Sequence, residues 1–157
     1  MAVVTRSMAV VTGADAYMTS GREPDGMSTY TTELQIRFRD VDAMGHVNNA
    51  VYATYLEQAR TQYYRAVLGA DLSAVATVLA SLSIDFHRPV ELSDETVAVD
   101  VEVPGLGTSS VPMHYELRTG GETVAEAESV QVAIDDDGAA RPLPERYRAT
   151  IEAYHGL

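Results

Sequence analysis

The stretch DVDAMGHVNNAVYATYLEQARTQYYRAVLG, Asp40 to Gly69, changes rhythm part-way along, and that change decides the architecture. Its first residues, Asp40 to Asn49, are acidic and polar with a central glycine, the composition of a turn. From Asn49 onward Tyr52, Tyr55, Leu56, Ala59, Tyr63, Ala66 and Val67 recur at three- and four-residue steps and line one helical face. Asn48 or Asn49 can cap the start, and Gly69 is a natural stop. The helix should run for roughly five turns.

Upstream, Leu34, Ile36 and Phe38 alternate with Glu33, Gln35 and Arg37, the period-2 pattern of a half-buried strand. Downstream the chain is strands. Val78, Ala80, Leu82, Ile84 and Phe86 form one alternating set, Val97 to Val103 a second, and Val111, Met113, Tyr115 and Leu117 a third. Thr123 to Ile134 makes a long last strand. Pro104-Gly105, Gly120-Gly121 and Asp137-Gly138 punctuate them. Such short connections imply antiparallel neighbours. After Pro142 and Pro144, Tyr147, Ile151 and Tyr154 mark a short C-terminal helix, with Pro144 suited to its first turn. One strand, one long helix and about four strands, each with one apolar face, predict an α+β fold: a curved antiparallel sheet wrapped around a central helix.

The chain has 157 residues, enough for one domain with a real core. Residues 1–29 differ from the rest: MAVVT occurs at Met1 and again at Met8, and Met, Gly, Ser and Asp recur after it. They read as an N-terminal extension, either flexible, a misassigned start or a peripheral strand, and residues 30–157 as the folded domain. The net charge of -12 argues against a nucleic-acid binder. The absence of cysteine removes disulfide frameworks, iron–sulfur clusters and thiol nucleophiles. All the basic residues are arginine, so Schiff-base chemistry and a phosphate-loop lysine are excluded as well. His46, His87, His114 and His155 lack metal-ligand spacing, so neither a metal nor a separate cofactor is expected. No apolar run approaches the roughly 20 residues that span a bilayer, and no secretion signal is visible, so the expected setting is the cytoplasm.

The stretch RFRDVDAMGHVNNAVYATYLEQAR, Arg37 to Arg60, resembles the signature of hotdog-fold acyl-CoA thioesterases of the 4-hydroxybenzoyl-CoA thioesterase superfamily. SIDFHRPVELSDETVAV, from Ser83, and GTSSVPMHYEL, from Gly107, are similar to later strands of that family. The resemblance spans Thr31 to Ile134. It implies the hotdog fold, hydrolysis of an acyl-CoA thioester, a homodimer or a tetramer of dimers, and an active site at the dimer interface. Acyl-carrier protein is the other possible thiol partner.

Asp42 matches the family's catalytic acid, as nucleophile or as general base, and the N–H of Asn49 matches its oxyanion donor. The chemistry suits those positions. A carboxylate beside a helix N-terminus joins a base or nucleophile to N–H groups and a dipole that favour a developing anion. His46 can orient a water or polarise the carbonyl; Asp40 reads as a turn former. Asn48 and Tyr52 lie close enough to touch an acyl group, although capping and core packing also explain them. Arg88, Ser109 and Ser110 are candidates for holding the phosphates of coenzyme A. Met44 stands where related plant acyl-carrier-protein thioesterases have an asparagine, so an Asp–Asn–His arrangement does not transfer. Two rival readings are an enoyl-CoA hydratase-like enzyme on the same scaffold and a non-catalytic acyl-CoA-binding module. The hydratase motif's proline after the Asp is missing here.

Overall fold

The computed structural model describes residues 28–157; the extension expected over residues 1–29 therefore lies almost wholly outside the described residues. Five strands form one antiparallel sheet: β1 (Tyr30–Gln35), β2 (Thr77–Phe86), β3 (Thr96–Glu102), β4 (Ser110–Thr119) and β5 (Glu122–Ala133). Their spatial order is β1-β3-β4-β5-β2. The sheet curves around the long helix α1 (Asn49–Tyr63), which is the hotdog architecture. A short α2 (Leu72–Val75) leads into β2, and α3 (Glu145–His155) closes the chain.

The inner face of the sheet is built by alternation. Val97, Val99 and Val101 of β3 and Val111, Met113, Tyr115 and Leu117 of β4 are all buried. β5 turns a smaller row inward, with Ala125, Ala127, Ser129, Gln131 and Ala133 buried. Small side chains there leave room for α1, whose Tyr52, Tyr55, Leu56, Ala59 and Tyr63 fill the concave side.

The helix begins and ends where its sequence signals lie. Asn48 is the cap, its Oδ1 accepting the Ala50 N–H at 2.9 Å. After Tyr63 the chain adds one π-helical turn, Tyr64–Leu68, and stops at Gly69 with φ +61°. The wider turn rotates the buried face, so Tyr64 is buried and Ala66, expected inside from the 3.6-residue period, is exposed.

Two strand expectations change in the same way. Phe38 does not continue the inward row of Leu34 and Ile36; it is 84% exposed. The strand ends at Gln35, and a 3-10 turn, Phe38–Asp40, follows. Asp40 closes that turn by accepting the Arg37 N–H at 2.8 Å. In β2 a register shift between Leu79 and Ser81 breaks the alternation, leaving Val78 exposed while Leu82 and Ile84 pack on the core. β2 lies at the sheet edge.

α3 follows Pro144, which caps it from just outside the first turn, and buries Tyr147, Ile151 and His155. Arg148 reaches back to the carbonyl of Gly107 at 2.6 Å, tying α3 to the loop before β4. Among the described residues no helix is long and apolar enough to cross a membrane.

Candidate active site

The turn between β1 and α1 is a closed unit. The Asp42 N–H donates to the His46 carbonyl at 2.8 Å, and the Gly45 N–H donates to the Asp42 carbonyl at 3.0 Å. Gly45 takes φ +79°, a conformation that side chains disfavour. Asp42 Oδ1 accepts the Met44 N–H at 2.8 Å and the His46 N–H at 3.4 Å. Its other oxygen has no partner among the described residues, and the side chain is exposed.

A second segment, residues 86–90, faces this turn. A bulge in β5 positions it: the register of β4 on β5 shifts at Leu117/Arg118, and the Val124 carbonyl accepts the N–H groups of both His87 and Arg88. The Val47 N–H then donates to the Val90 carbonyl at 2.7 Å, locking turn and segment together.

Between them is a cleft of about 310 Å³. Asp42, His46, Asn49, Tyr52 and Arg88 all line it, so five of the residues singled out in the sequence meet in one place. At the start of α1 the N–H groups of Ala50 and Val51 are taken by Asn48. The N–H of Asn49 has no acceptor among the described residues, and it sits at the positive end of the helix.

The remaining candidates are placed as follows. Tyr52 is buried at the back of the cleft, its ring edge-on to Phe86 with centroids 4.9 Å apart. Burial pushes its phenol upward, partly offset by a hydrogen bond with the Val90 backbone and by the charge of Arg88, so it stays protonated. His46 is half-exposed with Nε2 4.0 Å from Glu91 Oε1. Arg88 is heavily engaged: it donates to Glu122 at 3.1 Å, to Thr119 at 2.6 Å and to the Pro89 carbonyl at 3.0 Å, with Asp94 at 3.6 Å. Asn48 uses its side chain as the cap. Ser109 and Ser110 are not in the cleft. Ser110 pairs with Val132, seven residues along β5 from the Ala125 that pairs with Phe86, or about 23 Å away.

Phe86, His87 and Glu91 were not anticipated as neighbours of the site. Their only sequence signal is nearness to Arg88-Pro89; the bulge that swings them in leaves no local mark. Among the described residues no three His, Cys, Asp or Glu side chains gather to hold a metal ion.

A family model described as the thioesterase-like superfamily matches residues 15–151. The chain belongs to the thioesterase-like superfamily. A crystal structure of a thioesterase from Thermus thermophilus, complexed with coenzyme A and Zn, is 38% identical and superposes with a TM-score of 0.76, covering 85% of this chain and 98% of that one. The acyl-CoA thioesterase YbgC of Haemophilus influenzae is 27% identical over 135 residues, 82% of this chain and 96% of its own. The uncharacterized protein YsmA of Bacillus subtilis is 28% identical over 88 residues, 55% of this chain; the match spans 59% of YsmA. Membership of the thioesterase-like superfamily places this chain among thioester hydrolases.

Proposed function

We propose that the protein hydrolyses an acyl-CoA thioester to the free acid and coenzyme A, with Asp42 as the reacting carboxylate. The observation that carries this reading is the N–H of Asn49, without an acceptor, in the same cleft as Asp42 and His46. The thioester oxygen would accept from that N–H, where the helix dipole favours the charge that grows during attack.

Asp42 attacks the carbonyl carbon itself or removes a proton from an attacking water. Its held oxygen Oδ1 fixes the carboxylate, and its free oxygen acts. Collapse of the tetrahedral intermediate breaks the C–S bond, and coenzyme A leaves as thiolate, a good leaving group because a thiol is far more acidic than an alcohol. Where Asp42 itself attacks, the mixed anhydride left on it is cleaved by water in a second step; in either course water supplies the hydroxyl of the acid and the proton of the thiol. His46 supports the attack by orienting that water.

The reading includes a homodimer, or a tetramer of dimers. The exposed Val78 and Leu79 of β2, an edge strand among the described residues, support it, because an apolar edge strand is an invitation to pairing. It assigns Asn48 and Tyr52 to the acyl thioester end and Arg88 to a phosphate, by exchange with Glu122. For Ser109 and Ser110 it reserves the substrate of a second copy. Acyl-carrier protein is kept as the alternative thiol, and the cytoplasm as the setting. The test is release of free thiol from a panel of short, long and aromatic acyl-CoAs by wild type and Asp42→Asn. Loss of thiol release with an unchanged fold is expected; wild-type turnover in the variant would remove Asp42 from the mechanism.

A further inference from the structure

Part-way down α1 a buried charge goes unanswered. Arg60 is only 6% exposed, yet it forms no ion pair among the described residues. Among the described residues its one hydrogen bond is a long 3.5 Å donation from Nη1 to the Tyr115 hydroxyl, and its Nε has no acceptor there. A cation withdrawn from water without a counter-charge is strongly unfavourable, so the position calls for an anion.

Arg60 lines a cleft of about 450 Å³ between α1 and β2, and it is not the only side chain there lacking a partner. Gln131, also on the cleft wall, is 2% exposed, and its Nε2 has no acceptor among the described residues. The Thr77 hydroxyl lines the same cleft, with the Tyr64 phenol beside it. A guanidinium and an amide NH₂ only donate hydrogen bonds. Unpartnered N–H donors gathered beside a buried positive charge fit a carboxylate, which takes several N–H groups at once. Glu57, exposed on the same cleft, forms no ion pair with Arg60, so the anion's place is open.

This cleft and the one that holds Asp42 share no lining residue, but both lie along α1 and β2. Asn49, Ala53, Glu57 and Arg60 follow one stripe of α1, at steps of four, four and three residues. On the other wall Phe86 and Leu82 share one face of β2, Phe86 at the first cleft and Leu82 at the second. From Asn49 to Arg60 is eleven residues, about 16 Å along the helix axis. Side chains lean toward a helix N-terminus, which brings the guanidinium nearer to the first cleft.

We propose that the acyl group lies along this groove and that Arg60, helped by Gln131 and Thr77, selects chains ending in a carboxylate: half-thioesters of dicarboxylic acids of medium length. The proposal rests on the thioesterase reading for the identity of the other end.

The experiment compares suberyl-CoA with octanoyl-CoA, which have the same chain length and differ in the terminal carboxylate, in wild type, Arg60→Met and Gln131→Leu. Wild type should favour suberyl-CoA in kcat/KM by about tenfold or more. Arg60→Met should bring that ratio down toward one, and Gln131→Leu should lower it part of the way. The glutamine variant keeps the test decisive if the arginine variant fails to fold. A second arm needs no turnover: free suberate should raise the melting temperature of wild type more than octanoate does, and lose that advantage in the variants. Suberate stabilisation without any thiol release would uphold this pocket and count against the thioesterase reading alone. Equal ratios in wild type and variants, or no suberate effect, would overturn the proposal. So would an altered elution volume of Arg60→Met with the ratio intact, because a second copy would then be the partner of Arg60.

Discussion

The Tyr55 hydroxyl donates to Asp40 Oδ2 at 2.9 Å, and that bond separates the two acids of the Asp-Val-Asp turn. Asp40 is buried, with the same oxygen also accepting the Arg37 N–H, while Asp42 two residues on is exposed with one oxygen free. The pair also pushes the Tyr55 phenol well above its ordinary value, through burial first and the bond to Asp40 second.

The two asparagine substitutions should therefore have opposite effects. Asp40→Asn weakens two charge-assisted bonds and should cost about 1–3 kcal/mol of stability, read as a fall in melting temperature. Asp42→Asn should leave the melting temperature nearly unchanged and lower thiol release by about a hundredfold or more. Parallel thermal melts and kinetics on both variants check the pair; a catalytic loss confined to Asp40→Asn would reverse the assignment.

Gly45→Ala isolates the geometry of the turn. A Cβ at Gly45 meets nothing within 4 Å, so the substitution costs only the strain of φ +79°, about 1 kcal/mol. If the turn relaxes to relieve that strain, the Met44 and His46 N–H groups shift off Asp42. A fall in kcat greater than the fall in stability would show that this turn holds the carboxylate in place.

Glu122→Gln tests Arg88. The substitution removes the negative charge that holds the guanidinium's Nε. If Arg88 meets a phosphate of coenzyme A, KM for acyl-CoA should fall several-fold at low salt, less so at high salt, with kcat little changed. An unaltered KM would leave Arg88 as a brace between β2, β4 and β5.

His155 should impart a pH dependence to stability. It is fully buried, its Nε2 3.0 Å from the Tyr63 hydroxyl, and burial lowers its pKa, with the Ser28 backbone and then Glu102 acting the other way. Above the unfolded value of about 6.5 both states are neutral there and nothing is lost. Below it the unfolded chain binds a proton that the folded chain refuses, so stability falls with pH until the lower folded value is reached. Urea melts from pH 8 to 5 should show this slope, and His155→Gln should flatten it.

Much of this molecule is legible in its residue order. The three-four spacing from Tyr52 to Tyr63 specifies a helix because it places apolar side chains on one face, and the alternation of β3 and β4 specifies strands for the matching reason. Asn48 and Gly69 mark the ends of the helical run because caps are chosen by local hydrogen bonding and backbone sterics. Asp42, His46 and Asn49 can be named together because one short turn carries them. Beyond that range local signals stop. Phe38, Ala66 and Val78 depart from their patterns at a 3-10 turn, a π turn and a bulge, each of which shifts the phase of a pattern without altering composition. The cleft's second wall depends on the Val124 bulge, and Arg60's burial depends on how α1 lies against β4 and β5. Only tertiary structure decided those, because the energy of a buried charge or a closed cleft resides in groups far apart in sequence.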